Sequence, residues 1–323
     1  MAKVIGAVVV LLASLAASAA GQTETAAPDQ HYRLINGWDS KKVVAAGNEG
    51  YEVQLVARFE ESYEMLLKRS GAGPRAYRVV NTARLSTFVK ELNEAGAQGF
   101  RLVRQSVKRT FAVLEQQPND ARYKYSAVEG AEEGARALAQ LGERGSTLVA
   151  VLAAEALTQL KPVVLIEDVE GASVSPAAST GRDYRVLATA KTSTLEKEIT
   201  QAAAEGFRAI RAGYMAVVME RDPAVTGAPA DYRIAAMLRT STAERELQAA
   251  GAEGYRIALV PEHEREGVFV LHRPPGASER YDYRVARLKQ KTANETLLQA
   301  EADGYQVVVL FNDLAVFERP AGP

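Results

Sequence analysis

Leu92-Asn93-Glu94-Ala95-Gly96-Ala97-Gln98-Gly99-Phe100-Arg101-Leu102-Val103 is the stretch that decides the architecture, because it recurs. Its pattern is a large apolar residue, a residue usually small four positions on, glycine at seven, then an aromatic and an apolar strand. Further copies begin at Val43, Leu138, Ile199, Leu247 and Leu297, which makes six. A Tyr opens each copy's module, at Tyr32, Tyr77, Tyr125, Tyr184, Tyr232 and Tyr283. A repeat of roughly fifty residues is one supersecondary unit used again and again.

Each unit reads strand, helix, strand, strand. The first strand is short, as in Tyr77-Arg78-Val79-Val80 or Tyr232-Arg233-Ile234-Ala235. Ser193-x-x-Glu196, Ser241-x-x-Glu244 and Thr292-x-x-Glu295 read as capping boxes that open helices. The spacing of the large and small residues puts both on one helical face. The closing glycines are Gly50, Gly99, Gly145, Gly206, Gly254 and Gly304. A helix that ends on a left-handed residue favours glycine there, since a Cβ is disfavoured at positive φ. Residues four before these glycines (Ala46, Ala95, Leu141, Ala202, Ala250, Ala300) are all apolar, as packing of the next residue onto the last turn requires. The third copy has Ser146 after its glycine and is degenerate.

Third strands are apolar at successive positions: Phe111-Ala112-Val113-Leu114, Val217-Val218-Met219, Val268-Phe269-Val270-Leu271 and Leu314-Ala315-Val316-Phe317. Alternation would leave one face wet, whereas a continuous run means both faces are covered. The unit's own helix covers one face, and a unit this small is at the edge of what folds alone. The expectation is an α+β protein of six tandem β-α-β-β modules, each a three-stranded sheet with one helix, packed in pairs through sheet faces. The modules are placed at 31–70, 76–116, 123–168, 183–221, 231–273 and 281–319, with a linker over 169–182 that divides them three to three.

The phrase Leu92–Val103 resembles a small bacterial group, the domain-of-unknown-function family 4177. That family reads roughly Tyr-x-Tyr-Lys-Val-Val, then Leu-Asn-x-Leu-Gly-x-x-Gly-Trp-Glu-Leu-Val, then an apolar strand ending in a charged pair. Tyr281-Asp282-Tyr283-Arg284-Val285 and Tyr123-Lys124-Tyr125 match the front. Leu67-Lys68-Arg69, Met219-Glu220-Arg221 and Phe317-Glu318-Arg319 match the end. The chain departs in replacing the tryptophan by Tyr or Phe, and by Ser146 in the degenerate third copy. The resemblance implies a strand-helix-strand-strand fold and implies no activity.

Bulk composition narrows the function classes. The chain has 323 residues, is 47% apolar and carries a formal net charge of −1. That balance gives no electrostatic case for nucleic acid as an obligate partner. There is no cysteine, which excludes disulfides, thiolate metal sites and thiol nucleophiles. Lys3, the uncharged run Val4 to Ala17, and the small-x-small Ala17-Ser18-Ala19 read as a signal peptide over 1–19, cut before Ala20, with an uncleaved membrane anchor as the alternative. A flexible segment over 20–30 follows. With no lipobox cysteine and no second apolar segment of spanning length, the mature chain is expected to be exported, periplasmic or secreted, with no stable membrane span.

Candidate chemistry is sparse. His31, His263 and His272 lack metal-ligand spacing, and His263 lies in the charged tip Glu262-His263-Glu264-Arg265-Glu266. No Gly-x-Ser-x-Gly elbow or phosphate loop is present; Gly71-Ala72-Gly73 lacks the lysine and the helix start, and Thr192-Ser193-Thr194 reads as capping. Trp38, the lone tryptophan, is expected to pack. The recurring polar feature is the arginine after the opening Tyr: Arg33, Arg78, Arg185, Arg233 and Arg284. Glu115, Glu167, Glu220 and Glu318 recur at third-strand ends and are expected to pair with it across the strands. The competing reading is a row of anion-binding arginines. No catalytic, cofactor or metal residue is assigned. The expected role is a non-enzymatic scaffold or protein-interaction module, with a protein partner or self-association. The alternative is a small-molecule or glycan binder with a pocket between modules, and an enzyme of hydrolase type ranks behind both.

Overall fold

The computed structural model describes residues 31–322, apart from 37–38, 60–61, 109, 142–145, 156–159, 171–180, 190, 214–215, 226, 238–239, 262–266 and 312. The segments 1–19 and 20–30, Trp38, Gly145, the tip at 262–266 and most of the 169–182 linker thus lie outside the described residues.

Six modules follow one another. The first holds β1 (Tyr32–Asn36), α1 (Ser40–Asn48), β2 (Tyr51–Phe59) and β3 (Ser62–Arg69). The second holds β4 (Tyr77–Asn81), α2 (Leu85–Gly96), β5 (Phe100–Leu102) and β6 (Phe111–Gln116). The third holds β7 (Arg122–Glu129), α3 (Ala131–Ala139), β8 (Thr147–Glu155) and β9 (Leu160–Glu170). The fourth holds β10 (Asp183–Ala188), α4 (Thr192–Ala204), β11 (Arg208–Gly213) and β12 (Ala216–Arg221). The fifth holds β13 (Asp231–Met237), α5 (Thr240–Ala252), β14 (Arg256–Leu259) and β15 (Gly267–Arg273). The sixth holds β16 (Tyr281–Arg287), α6 (Ala293–Ala302), β17 (Gln306–Phe311) and β18 (Leu314–Pro320). This is an α+β fold of six three-stranded sheets, each with one helix. In every sheet the third strand lies between the other two and pairs antiparallel with both. Its central place explains why the third strand is the continuously apolar one.

The helix ends follow the repeat phrase. Gly50, Gly99, Gly206, Gly254 and Gly304 sit at φ +85°, +84°, +89°, +88° and +81°. Phe207 N–H, Tyr255 N–H and Tyr305 N–H return to the carbonyls of Ala202, Ala250 and Ala300 at 3.0, 3.0 and 2.9 Å. That is the bond that closes a helix behind a left-handed residue. The helix starts differ from expectation. The α4 helix begins before Ser193, and Lys191 stands at its cap without a side-chain bond. Thr292 caps α6 also without one, and the Ser241 side chain lies outside the described ones. Glu196 accepts instead from Ile234 N–H of the next module at 3.2 Å. A strand-edge amide in need of an acceptor has outcompeted the helix's own.

The modules close into a cycle. Each helix packs on its own sheet and on the first strand of the next module, and α6 packs on β1. Six apolar clusters result, one per seam. One joins Phe88, Leu92 and Ala95 of α2 to Tyr123, Tyr125 and Leu165 of the third module. The closing one joins Leu297 and Ala300 of α6 to Tyr32, Leu34 and Leu66. Third strands alternate between the two clusters they border. In β6, Ala112 and Leu114 meet the module's own helix, while Phe111 and Val113 meet the preceding module. In β12, Val217 and Met219 face one way, Ala216 and Val218 the other. Both faces are covered, as the continuous runs require. The cover is a neighbour's helix together with residues of the neighbour's sheet. The expected packing of modules in pairs is corrected to a head-to-tail cycle. A helix with apolar residues on two flanks serves two sheets, so no module needs a dedicated mate. Leu92 is fully buried between two modules, and its truncation to Ala is worth about 2–5 kcal/mol.

Two details tighten the seams. A Cβ on Gly96 would lie 2.1 Å from Tyr123 O, and one on Gly251 would lie 2.2 Å from Tyr281 O. These helical glycines let the next strand's backbone touch the helix. Helix side chains also bond the outer edge of that strand. Asn93 accepts from Tyr125 N–H at 2.8 Å and donates to Tyr125 O at 2.9 Å, and Asn294 accepts from Tyr32 N–H at 2.8 Å. Covered edges do not template pairing with foreign strands.

Candidate functional site

Register decides which polar groups meet. The opening tyrosines lie opposite the third-strand polar positions: Tyr77 opposite Glu115, Tyr125 opposite Glu167, Tyr184 opposite Glu220, Tyr232 opposite His272 and Tyr283 opposite Glu318. Directly opposed residues share a face. The arginine one step on lies opposite an apolar residue, as Arg78 does with Leu114 and Arg284 with Phe317. It therefore points to the other side, and the expected pairing with the third-strand glutamates does not form.

The arginines go to the end of their own helix. Arg33 pairs with Glu49 at 2.5 Å, Arg233 with Glu253 at 2.9 Å and Arg284 with Asp303 at 3.3 Å. Arg185 pairs with Glu205, and Arg78 donates to Gln98 Oε1 at 3.3 Å. Each partner is the residue just before the C-cap glycine. Arg33 also lies over the Tyr51 ring at 4.1 Å, Arg185 over Phe207 at 4.3 Å and Arg233 over Tyr255 at 4.5 Å. Hydrogen bonds from these arginines hold the carboxyls of Glu49, Glu205 and Glu253 below the usual carboxylate range. Apart from Arg33, whose side chain is largely buried, the pairs are solvent-exposed and contribute little to stability. The arginine row is thus a set of latches between strand and helix end, and the charge of all but Arg78 is compensated by a carboxylate.

The tyrosines cross the seams. Tyr77 accepts from Val53 N–H at 3.3 Å, Tyr125 from Leu102 N–H at 2.9 Å, Tyr232 from Ala209 N–H at 3.0 Å and Tyr283 from Ile257 N–H at 3.1 Å. In each case the amide belongs to the second strand of the preceding module. In β2, β11 and β14 the amide residue immediately precedes a shift of register. A bulge frees an N–H from the ladder, and the tyrosine satisfies it. At two seams the arrangement extends to a triad. Tyr125 donates to Glu167 at 3.2 Å, and Arg101 of the second module donates to the same carboxylate at 2.8 Å. Tyr283 donates to Glu318 at 2.6 Å, and Arg256 of the fifth module donates to it at 2.8 Å. Glu167 is fully buried and Glu318 nearly so. Burial pushes the Tyr77 and Tyr184 phenols up to about 12 and those of Tyr125 and Tyr283 higher still. These tyrosines are neutral donors with both donor and acceptor capacity engaged. Tyr77, Tyr125 and Tyr283 hold modules together, while Tyr184 donates to Glu220 of its own module.

A concavity lies beside one of these seams. A cleft of about 410 Å³ is walled by Glu52, Tyr77, Arg101, Arg104, Gln105 and Glu115, among others. Arg75 meets Glu52 at 3.2 Å and also Glu115, so the acidic residues of the wall are paired. Gln105 Nε2 donates to Val53 O at 2.9 Å.

The histidines are dispersed. His31 Nε2 stands 3.9 Å from Glu301 at the closing seam. His272 is half-buried on β15, its pKa lowered by burial and then by the charge of Arg256. Among the described residues no three His, Asp or Glu side chains are grouped as metal ligands, and no helix is long and apolar enough to cross a membrane. The seam role of the tyrosines and of Arg101 and Arg256 was missed in the sequence. The signal was present in strand parity, since Tyr and Glu of one module fall in phase while the intervening Arg does not. Comparison of the chain with family models, curated proteins and solved structures gives no match.

Proposed function

We propose that this protein is an exported, non-enzymatic ring scaffold that binds a protein partner through its loops and outer helix faces. The observation that supports this reading is the use of every recurrent polar group inside the ring. Tyrosines bond the amides and glutamates of seams, and the arginines bond helix ends. What varies between modules is left to the surface, which is where a partner would be read. Strand addition is disfavoured as the mode of binding, because Asn93 and Asn294 occupy the outer strand edges at their seams. The resemblance of the repeat phrase to domain-of-unknown-function family 4177 belongs to the same reading, as does a signal peptide at the N-terminus. The test is affinity capture by the mature protein from periplasmic or culture extract, read by mass spectrometry. A saturable partner is expected, and its loss on charge reversal of outer helix residues such as Glu132 and Glu133. Failure to retain any partner, with the ring intact by circular dichroism, would falsify the scaffold role.

A second reading, a small-ligand binder, is favoured by one observation, the polar cleft between the first two modules. Thermal-shift screening against sugars, amino acids and anions tests it; silence across all three classes counts against it.

A further inference from the structure

We propose that Arg104 and Arg211 form an anion site at the inner edge of the third module, taking a tetrahedral oxyanion of the phosphate class. The argument begins with the repeat. The fifth residue after each C-cap glycine is Leu55, Arg104, Ala150, Arg211, Leu259 and Val309. Four modules place an aliphatic side chain there, and two place arginine. In β2, β8, β11, β14 and β17 this residue is the one that resumes the ladder after a register shift. In the second module a short 3-10 turn, Arg104–Ser106, takes that place. Neighbouring second strands touch one another, β2 with β17, β8 with β11, and β11 with β14. Second strands therefore lie on the inside of the cycle, and so does this position.

The two exceptional modules flank the third. Arg211 lies opposite Val218, whose side chain faces the third module. Two positions on, a Cβ at Gly213 would fall 1.7 Å from Val151 O, so β11 and β8 touch through their backbones. From the other side, Arg104 Nη2 reaches Thr147 Oγ1 of β8 at 3.4 Å. The Arg104 guanidinium and the strand that carries Arg211 thus both meet β8, and Ala150 is the small residue of the row there.

Neither arginine has a carboxylate within ion-pair distance among the described residues, although almost every other seam arginine does. The Nε of Arg211 is buried and has no acceptor. Arg33 and Arg75 share an unbonded Nε, but their terminal nitrogens are paired with glutamates. Arg211 has no such compensation. Its half-burial lowers its pKa, and the positive charge of Arg104 lowers it further. Burying a cation without a partner is costly, and placing a second cation nearby adds to the cost. A protein that needed only packing here would use the aliphatic residue of the other modules. An oxyanion between the two guanidinium forks removes both penalties, since the planar fork matches phosphate oxygens in pairs. Arg101, close by, is already matched to Glu167 and adds no uncompensated charge. The opposite side of the cycle carries Leu259, Val309 and Leu55, so the site occurs once per chain.

The site does not depend on any protein partner, and either can fail while the other stands. The experiment is calorimetric titration of the full mature chain with inorganic phosphate, sulfate and succinate at constant ionic strength, alongside thermal melts. Phosphate is expected to bind saturably with one site per chain and to raise the melting temperature. Arg211→Leu uses the residue found in the first and fifth modules; it should weaken phosphate at least tenfold and raise the melting temperature in its absence. Arg104→Leu should weaken phosphate similarly, and Arg211→Lys should be intermediate because charge stays and the fork is lost. Arg136→Leu, on the outer surface of α3, should bind as wild type. A rise in melting temperature shared equally by wild type and Arg211→Leu is the general effect of an excluded salt and overturns the proposal. So does an isotherm unchanged by both leucine variants, the absence of any isotherm, or saturable binding of succinate alone.

Discussion

At the scale of single residues, one alternation governs the chemistry of the molecule. Along the first strands, Tyr faces the preceding module, and in all but the third, where Ser126 follows the Tyr, Arg faces its own helix end. Tyr125 and Glu167 are buried together, and Arg101 neutralises the carboxylate from across the seam. Tyr125→Phe removes a hydroxyl that serves both Leu102 N–H and Glu167, and is expected to cost about 1–3 kcal/mol in urea unfolding. Arg101→Met leaves Glu167 buried without its cation and is expected to cost about 3 kcal/mol, near the lower end for a broken buried pair because Arg101 itself is partly solvated. A smaller loss for Arg101→Met than for Tyr125→Phe would show the pair to be ornamental. His272 occupies the glutamate's register position in the fifth module, opposite Tyr232. Burial, then Arg256, lowers its folded pKa below the ordinary 6.5. The unfolded chain therefore takes up a proton near that value while the folded chain resists. The stability it contributes is complete above pH 6.5 and is lost as pH falls through the folded pKa. His272→Asn should lose less stability between pH 7 and pH 5 than wild type; parallel losses would exclude this histidine as the source. Much of this was legible. The glycines, the apolar face and the period could be read directly, whereas the arginine partners could not, because pairing by charge alone ignored which side of the strand each residue occupies.

Elements in this fold are shared, and the helices most of all. Each closes one module and roofs the next, which is why a run of apolar residues could announce two covered faces without naming the cover. The same sharing misled the reading of helix starts. Glu196 has the spacing of a capping partner, yet it sits where the next module's strand needs an acceptor. Two glycines separate the sharing from simple helix chemistry. Replacing a helical glycine by alanine ordinarily gains about 0.5–1 kcal/mol. Gly96→Ala should instead cost on the order of 1–3 kcal/mol, because its methyl would press on the backbone carbonyl of Tyr123. Gly304→Ala meets nothing within 4 Å but sits at φ +81°, so it should cost about 1–2 kcal/mol from backbone strain alone. Thermal melts compare the two with Gly322→Ala, where nothing lies within 4 Å. A neutral Gly96→Ala would mean that α2 and β7 are less closely held than described.

For the whole molecule, the decisive contact is the one between its ends. Tyr32 N–H bonds Asn294 across 262 residues of sequence, and Glu301 receives Tyr32 OH at 3.1 Å and Lys68 at 2.7 Å. An open array of repeats tolerates loss of a terminal unit, since each unit leans only on its neighbours. A cycle does not. Deleting residues 281–323 would bare Leu34 and Leu66 at one end and the outer flank of α5 at the other. The truncated chain is expected to aggregate or to melt well below the intact one, and not to lose merely a sixth of its unfolding enthalpy. Light scattering and calorimetry distinguish these outcomes. Closing the seam from the unfolded chain costs only about 2 kcal/mol more than closing a seam between adjacent modules, because loop entropy grows with the logarithm of length. Closure is therefore late without being expensive. During synthesis the first module is made before the other five and completed after them: the face of Leu66 waits, uncovered, for a helix encoded some 230 residues later. The ring in this way reports on its own completeness, since a chain broken off anywhere before α6 displays the defect at its first module, far from the break.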